Sequence, residues 1–555
     1  MKIFCNWIVL IGSAFTLLSS PAFGITEEGH KLVVAGPSKY AVQVAQQVSE
    51  MGGNAVDAAV AIGFALGVTN PYFAALGGGG FALVKMSNSP VEALDFREVA
   101  PKSYNKDSFL KLDKKASTDG GHAVGVPGMT AGLWALHKRY GKVPWSKLLN
   151  LTINLAKNGF RVSGEWVRRT DDEKARFTNK SFYFKKNGES YRPGEILKQP
   201  QLAIALTYIK NKNLAGFYDG PVARDLVASV NQAGGLMTLA DLKTYQVRWL
   251  KPLETKYAGF DIYLMPPPSS GGVVIQTALR LIEDLKVSSE PALSANELHL
   301  LGEIQARAYR GRSLLGDPDF HKNPISSLTS EKYLKELKNS IRAQKTTELK
   351  PLPENFGTEL GAESSETTHF SVMDASGNAV AMTVTLNGNY GSGVVTNKFG
   401  IALNNEMDDF TTRPSEPNMF GLIQGAGNVV EPGKRPLSSM SPTLVLKDGK
   451  VQMAVGAPGG PRIISAVLQT LYRVLGRGTD LDVAIQAPRV HHQYQPNTLF
   501  VDKDRLPPES IKALKDRGHQ VQESSLAKVY AVRINAAGNL EAAFDSRGEG
   551  AAGGF

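Results

Sequence analysis

The sequence predicts a layered α/β sandwich, and three features point to it. Helix start and stop signals recur through residues 25–366, pairs of strand-like runs joined by turn residues cluster in the last third, and no fixed-period repeat or low-complexity linker divides the chain. At 555 residues with 42% hydrophobic and 21% charged side chains, the chain can bury a large core in the manner of an ordinary globular protein.

Taken in order, Met1-Lys2 precedes an apolar run from about Trp7 to Leu18, and Ser19-Ser20-Pro21-Ala22-Phe23-Gly24 follows. The run is short of the roughly 20 residues that span a bilayer, and small residues at Ala22 and Gly24 suit a signal-peptidase site. Residues 1–24 are therefore expected to be a signal peptide, with a periplasmic or secreted product and no stable membrane insertion. Cys5, the single cysteine, lies inside that segment. A mature chain without a thiol excludes disulfides, zinc thiolate sites and cysteine catalysis.

Val56–Leu66 is an Ala-rich helix with Asn54 near its start. Trp145–Asn158 is periodic, with Pro144 near the first helical position and Gly159 at the end. Ser294-Ala295-Asn296-Glu297 reads as a capping box before a long helix to about Leu315. Two further helices are predicted over Arg462–Leu475 and Glu509–Arg517. The strand pairs are Thr367–Asp374 with Ala379–Leu386, Thr443–Lys447 with Val451–Val455 about an Asp448-Gly449 turn, and Val529–Ile534 with Leu540–Phe544.

A formal charge of +10 is spread in short clusters such as Lys111, Lys114 and Lys115, with no long basic tract, so no nucleic-acid partner is expected. Gly77–Gly80 and Pro266–Gly272 match no phosphate-binding loop and read as places where backbones pass closely. The chain has no Gly-x-Ser-x-Gly elbow and no His-Glu-x-x-His helix. His491-His492 is the only adjacent pair among nine histidines and reads as hydrogen bonding that fixes a loop. Neither a metal nor a cofactor is expected.

Thr367 opens its strand-like run with Thr368 and His369. A threonine here is most simply a good strand former. If the backbone is cut just before it, Thr367 carries both a nucleophilic Oγ and an α-amine of pKa near ~7.7–8, which suits a general base at neutral pH.

Its company decides between the two. Asp95-Phe96-Arg97-Glu98, Thr367–Val372, Thr383-Val384-Thr385-Leu386-Asn387, Leu403–Phe410, Lys434–Thr443 and Gly456-Ala457-Pro458-Gly459-Gly460 follow one another in an order and spacing that resemble the γ-glutamyltransferases, or glutathione hydrolases, of the N-terminal-nucleophile hydrolase superfamily. Leu76–Phe81, Met265–Gly272, Gly316–Phe320 and Ala487–Gln493 extend the likeness over nearly the whole mature chain. The resemblance implies a four-layer αββα sandwich with a helix-rich large-subunit portion. It also implies autocleavage between Glu366 and Thr367, giving a large subunit, 25–366, and a small catalytic subunit, 367–555, intertwined as a heterodimer. Thr367 would then cleave glutathione and other γ-glutamyl amides through an acyl-enzyme, passing the acyl group to water or to an amino acid or peptide acceptor.

By position, the resemblance has Thr385 beside Thr367 and Asn387 holding substrate, and their i, i+2 spacing puts both on one face of a strand. Arg97 matches the arginine that grips the α-carboxylate; its plainer reading is a surface salt bridge with Glu98 or Asp95. Glu406 and Asp409 match the acids that receive the α-ammonium, and Ser438 and Ser439 match hydroxyls at the carboxylate end. Gly459 and Gly460 would direct N–H groups at the oxyanion. Residues 411–424 match a loop that covers the pocket in many bacterial members, with Phe420 where a tyrosine is often found. That departure puts the balance of hydrolysis and transfer in doubt. Two rival readings remain: a related acylase acting on other amides, and an uncleaved, inactive amino acid- or peptide-binding homologue.

Overall fold

Two seven-stranded antiparallel sheets face each other in the computed structural model, which describes residues 25–349 and 367–555. The first sheet runs in the order Ala551–Gly554, Leu32–Gly36, Thr367–Asp374, Ala379–Thr385, Gly79–Lys85, Val91–Phe96, Arg248–Leu250. The second runs Thr26–Gly29, Leu540–Phe544, Tyr530–Ile534, Lys450–Gly456, Thr443–Lys447, Phe260–Leu264, Leu253–Tyr257.

Strand alternation sorts the side chains into layers. Phe370, Val372, Val380 and Met382 enter a core shared with helices Lys39–Glu50, Ala55–Thr69 and Met129–Tyr140. Met373, Ala379 and Ala381 face the other way, into a core shared with the second sheet and with helices Gly271–Asp284, Ala295–Arg310 and Arg462–Leu471. Helix, sheet, sheet, helix is the four-layer αββα sandwich the sequence led us to expect. The Ala55–Thr69 helix is buried on every side, which explains why its sequence is apolar all round rather than amphipathic. Asn54 caps it through a reciprocal pair: its Oδ1 accepts from Asp57 N–H at 2.9 Å and Asp57 accepts from Asn54 N–H at 3.0 Å.

Both sheets draw strands from either side of residue 366, so the two stretches of chain interleave rather than sit as separate bodies. The Gly77–Gly80 run explains itself at the same place. A Cβ on Gly80 would lie 2.3 Å from Thr383 O, and one on Gly78 would lie 2.1 Å from Thr385 O. Only glycine lets this strand lie so close to its neighbour.

Several local expectations are refined. The Asp448-Gly449 turn has positive φ at both residues (52° and 73°), as a two-residue hairpin demands. The Ala295–Arg310 helix stops short of Leu315 and tightens into a Gly311–Leu314 turn. Its capping box is only half formed: Ser294 Oγ accepts from Glu297 N–H, but the Glu297 carboxylate turns to Leu293 N–H and the Tyr472 hydroxyl. The predicted Arg462–Leu475 helix is α-helical to Leu471 and continues as a wider turn, Tyr472–Gly476. Among the described residues no helix is long and apolar enough to cross a membrane. The expected signal peptide, Cys5 and Glu366 lie outside the described residues.

Candidate active site

Thr367 begins its strand in the middle of the first sheet, directly opposite Thr385 on the neighbouring strand. Alternation turns Thr367, His369 and Ser371 toward the second sheet, so a strip of polar side chains runs between two apolar layers. Thr367 Oγ1 lies 3.3 Å from Thr385 Oγ1, which also accepts from Asn387 N–H at 2.8 Å. His369 is fully buried beneath them, with Nδ1 2.8 Å from Thr383 Oγ1 and Nε2 2.9 Å from Ser371 Oγ. Burial pushes its pKa down to about 3, so the ring is neutral at physiological pH and acts as a fixed dipole. Gly456 on the second sheet makes room for it, since a Cβ there would stand 2.3 Å from the imidazole.

The alternation argument that placed Asn387 beside Thr385 does not hold. The strand ends at Thr385, and Asn387 adopts a left-handed backbone (φ 70°) beyond it. It reaches the same cavity through a turn, its amide donating to Asn405 O at 3.1 Å. That cavity gathers Arg97, Thr367, Thr385, Asn387, Asp409, Ser438, Ser439 and Gly460 in one wall.

Arg97 is 1% exposed, which overturns its reading as a surface salt bridge. Its guanidinium lies 2.5 Å from Asp409, 2.6 Å from Glu406 and 3.7 Å from Glu98. Asp95 pairs instead with Arg248 and Arg435. Burial raises the pKa of each acid around Arg97 while the guanidinium draws it back: Asp409 and Glu406 stay raised, and Glu98 is pushed up to about 8. Glu406 stands behind Arg97 rather than in the cavity wall. The Ser438–Met440 segment is pinned against residues 268–270: Ser438 N–H donates to Pro268 O, Ser270 N–H to Ser438 O, and Ser269 Oγ to Met440 O, all between 2.7 and 2.8 Å. Gly459 (φ 130°) and Gly460 (φ 54°) make a turn that L side chains rarely adopt, just before the Arg462–Leu471 helix.

Residues 411–424 cross the cavity mouth, and Phe420 and Leu422 enter its wall. Five residues to which the sequence reading gave no role shape this region: Ser117, Arg312, Asp408, Asn418 and Met419. Asn418 Nδ2 donates to Asp409 Oδ1 at 3.0 Å. Met419 N–H donates to Asp408 Oδ2 at 2.9 Å, and Ser117 Oγ to Asp408 Oδ1 at 2.7 Å. Burial pushes Asp408 up to about 6. Arg312 lines the cavity and reaches Ser270 Oγ and the Gln424 amide oxygen. With no phenolic hydroxyl at Phe420, the Asn387 amide meets Met419 Sδ at 3.7 Å. The adjacency of Asp408 to Asp409 was the one visible hint of this arrangement. His491 and His492 bond to Ser465, Gln493 and Asn497 and hold a loop, as the sequence suggested.

A pair of facing threonine hydroxyls and a buried cation ringed by carboxyls thus line one cavity, an arrangement suited to a short zwitterion joined to an acyl group. Comparisons with known proteins agree with it. A family model described as gamma-glutamyltranspeptidase matches residues 41–555. The chain is 40% identical over 554 residues to a glutathione hydrolase proenzyme of Pseudomonas aeruginosa, covering 97% of each. It is 37% identical to the Helicobacter pylori gamma-glutamyltranspeptidase structure, at a TM-score of 0.55, covering 57% of this chain and 93% of that one. A cephalosporin acylase from Bacillus halodurans shares the fold alone, with a TM-score of 0.84 at 23% identity and 99% coverage of both.

Proposed function

This chain belongs to the gamma-glutamyltranspeptidase family, and on that footing we propose that it is a self-processing γ-glutamyl hydrolase and transferase that uses Thr367 as nucleophile. One observation carries the reading: Thr367 and Thr385 face each other on a polar strip at the edge of a cavity that also holds Arg97 and Asp409. Attack of Thr367 Oγ on the preceding carbonyl, acyl shift to an ester and hydrolysis would free the α-amine. That amine then takes the hydroxyl proton as Oγ attacks a γ-glutamyl amide, and returns it to the leaving amine. Thr385 holds Oγ in place, and Gly459 and Gly460 offer N–H groups to the developing oxyanion, where one lost donor costs on the order of 3 kcal/mol in the barrier.

The γ-glutamyl tail carries opposite charges on one carbon. Its carboxylate takes Arg97, Ser438 and Ser439, and its ammonium takes Asp409, with Glu406 behind Arg97 adding negative charge, so substrate exchanges for the ion pair that Arg97 and Asp409 make with each other. Asn387 steadies the chain between. Glutathione is the substrate class indicated by relatives named glutathione hydrolase proenzyme. The interleaved sheets would keep fragments 25–366 and 367–555 together as a heterodimer after cleavage. Residues 1–24 would direct export to the periplasm or beyond. To close the cycle, water or an acceptor amine attacks the acyl carbon, the carbon–Oγ bond breaks, and Thr367 Oγ regains a proton through its α-amine.

An acylase for other amides is less well supported, because a free amino acid tail accounts for Arg97, Glu406, Asp409 and the serine pair at once. Incubation of the purified protein with glutathione tests the proposal: glutamate and cysteinylglycine should appear together, and a γ-glutamyl dipeptide should form when an amino acid is added. Binding of glutathione without release of either product would instead favour an inactive binding homologue.

A further inference from the structure

Arg312 is a buried cation on the wall of the cavity that holds Thr367 and Arg97, and the mechanism above gives it no task. Its side chain is 4% exposed, yet among the described residues no carboxylate pairs with it. Nε donates to Ser270 Oγ at 3.1 Å and Nη1 to the Gln424 amide oxygen at 3.3 Å. Both partners are neutral, and a guanidinium has five N–H donors to place. Burial pushes its pKa down to about 10; Asp409, the acid that most offsets this, is already paired with Arg97 at 2.5 Å. A desolvated charge without an opposite charge beside it is costly, and here it borders a cavity.

Its anchorage places it at the end assigned to the substrate carboxylate. Ser270 Oγ, which accepts from Arg312, donates to Ser438 O at 2.7 Å. Arg97 Nε donates to Pro436 O at 3.4 Å, so both guanidiniums are fastened along the short stretch that carries Ser438 and Ser439 into the wall. On its other side Arg312 holds Gln424, whose amide donates to Asp409 O at 2.6 Å. The charged residues of this wall are two guanidiniums, Arg97 and Arg312, and one carboxyl, Asp409. Once the substrate ammonium takes Asp409, neither guanidinium has a carboxyl in the wall, and the substrate carboxylate is the anion at hand.

We infer that Arg312 is a second cation for the substrate's α-carboxylate, acting with Arg97 to select donors that carry this charge. The inference rests on the γ-glutamyl reading proposed above. Charge-assisted hydrogen bonds from a guanidinium to a carboxylate are roughly twice as strong as neutral ones. Folding itself has already taken Arg312 out of water, so on the protein side the contact forms with little further desolvation. Substrate thereby supplies the negative charge that the empty cavity withholds from Arg312.

The test uses the full-length, self-processed protein with a γ-glutamyl anilide donor. Arg312→Met should raise KM at least about tenfold and lower kcat by less, as expected for a charged contact made in ground and transition states alike. Arg312→Lys should recover part of the loss, because it keeps the charge without the planar fork. Competitive inhibition by glutamate and by its α-carboxamide, isoglutamine, separates a contact with the carboxylate from a prop for the 411–424 loop, since the two inhibitors differ at that group alone. The parent should prefer glutamate, and Arg312→Met should shrink the preference at least about fivefold. A prop would weaken both inhibitors alike and leave their ratio where it was. Arg312→Gln, which can keep hydrogen bonds to Ser270 and Gln424, decides by the same ratio if Arg312→Met fails to mature. An unchanged ratio, or a KM within about twofold of the parent, overturns the role of Arg312. A parent protein that neither hydrolyses the anilide nor is inhibited by glutamate sinks the γ-glutamyl reading beneath it instead.

Discussion

Replacing Arg97 by alanine is the most informative single change in the substrate cavity. The guanidinium is 1% exposed and lies 2.5 Å from Asp409 and 2.6 Å from Glu406. Truncating one member of a desolvated charge pair costs about 2–5 kcal/mol in binding. Assigned to the substrate carboxylate, that is roughly a 30-fold to 5,000-fold fall in kcat/KM, carried mainly by KM because the contact exists in ground and transition states alike. Folding also suffers, since three carboxyls lose their shared cation, and breaking a buried pair costs about 3–5 kcal/mol. The raised pKa values of Glu98, Glu406 and Asp409 soften that loss, because these groups take up protons readily. Maturation should continue, as no bond links Arg97 to Thr367 or Thr385. The assay is γ-glutamyl anilide hydrolysis alongside a denaturing gel and a melting curve. Arg97→Lys should fall between parent and alanine, since it keeps the charge but loses the planar fork. A cleaved Arg97→Ala protein with kcat/KM within about threefold of the parent would refute the placement of the substrate carboxylate.

Thr385→Val removes the partner of Thr367 Oγ1 and the acceptor of Asn387 N–H. Two hydrogen bonds at about 1 kcal/mol each predict a tenfold to thirtyfold drop in kcat, measured on the processed enzyme; an unaltered kcat removes Thr385 from the site. Asp408 sits above its ordinary 3.8, at about 6, so between those values the folded chain binds a proton that the unfolded chain has released. Its contribution to stability therefore falls as pH rises from about 4 to about 6 and levels off above, by on the order of 3 kcal/mol. Denaturant melts should show the stability difference between parent and Asp408→Asn shrinking over that window, and a flat difference would contradict the shift. Asp408→Asn should also expose residues 418–420 to proteolysis, because one of two tethers to Ser117 and Met419 is lost. Gly456→Ala would press a methyl against the His369 ring, 2.3 Å away, and should destabilise by about 1–3 kcal/mol in the same melts.

The strands were legible because their signals are local. Alternation and turn residues fix Thr367–Asp374 and the Asp448-Gly449 hairpin without any knowledge of what they pack against. Asn387 was reached by the wrong route, since its positive φ depends on a turn that no alternating pattern announces. Glu297 was expected to complete a capping box and was drawn instead to Tyr472, a residue 175 positions away. The plainer reading of Arg97, a surface salt bridge with a sequence neighbour, failed for the same reason: Asp409 lies 312 residues along the chain. The contacts of the 411–424 loop are equally distant in sequence, with Ser117 291 positions from Asp408. Motif order could indicate which residues belong to the site, but only the folded register shows Glu406 behind Arg97 and Asp409 tied to both Arg97 and Asn418.

The proposed chemistry depends on a free amine at Thr367, and intact mass measurement of the purified protein reports on it directly. Two species should appear, the smaller beginning at Thr367, and Thr367→Ala should give one unbroken chain with no γ-glutamyl turnover. An active protein whose 366–367 bond is whole, or a Thr367→Ala variant that still divides there, would contradict the account.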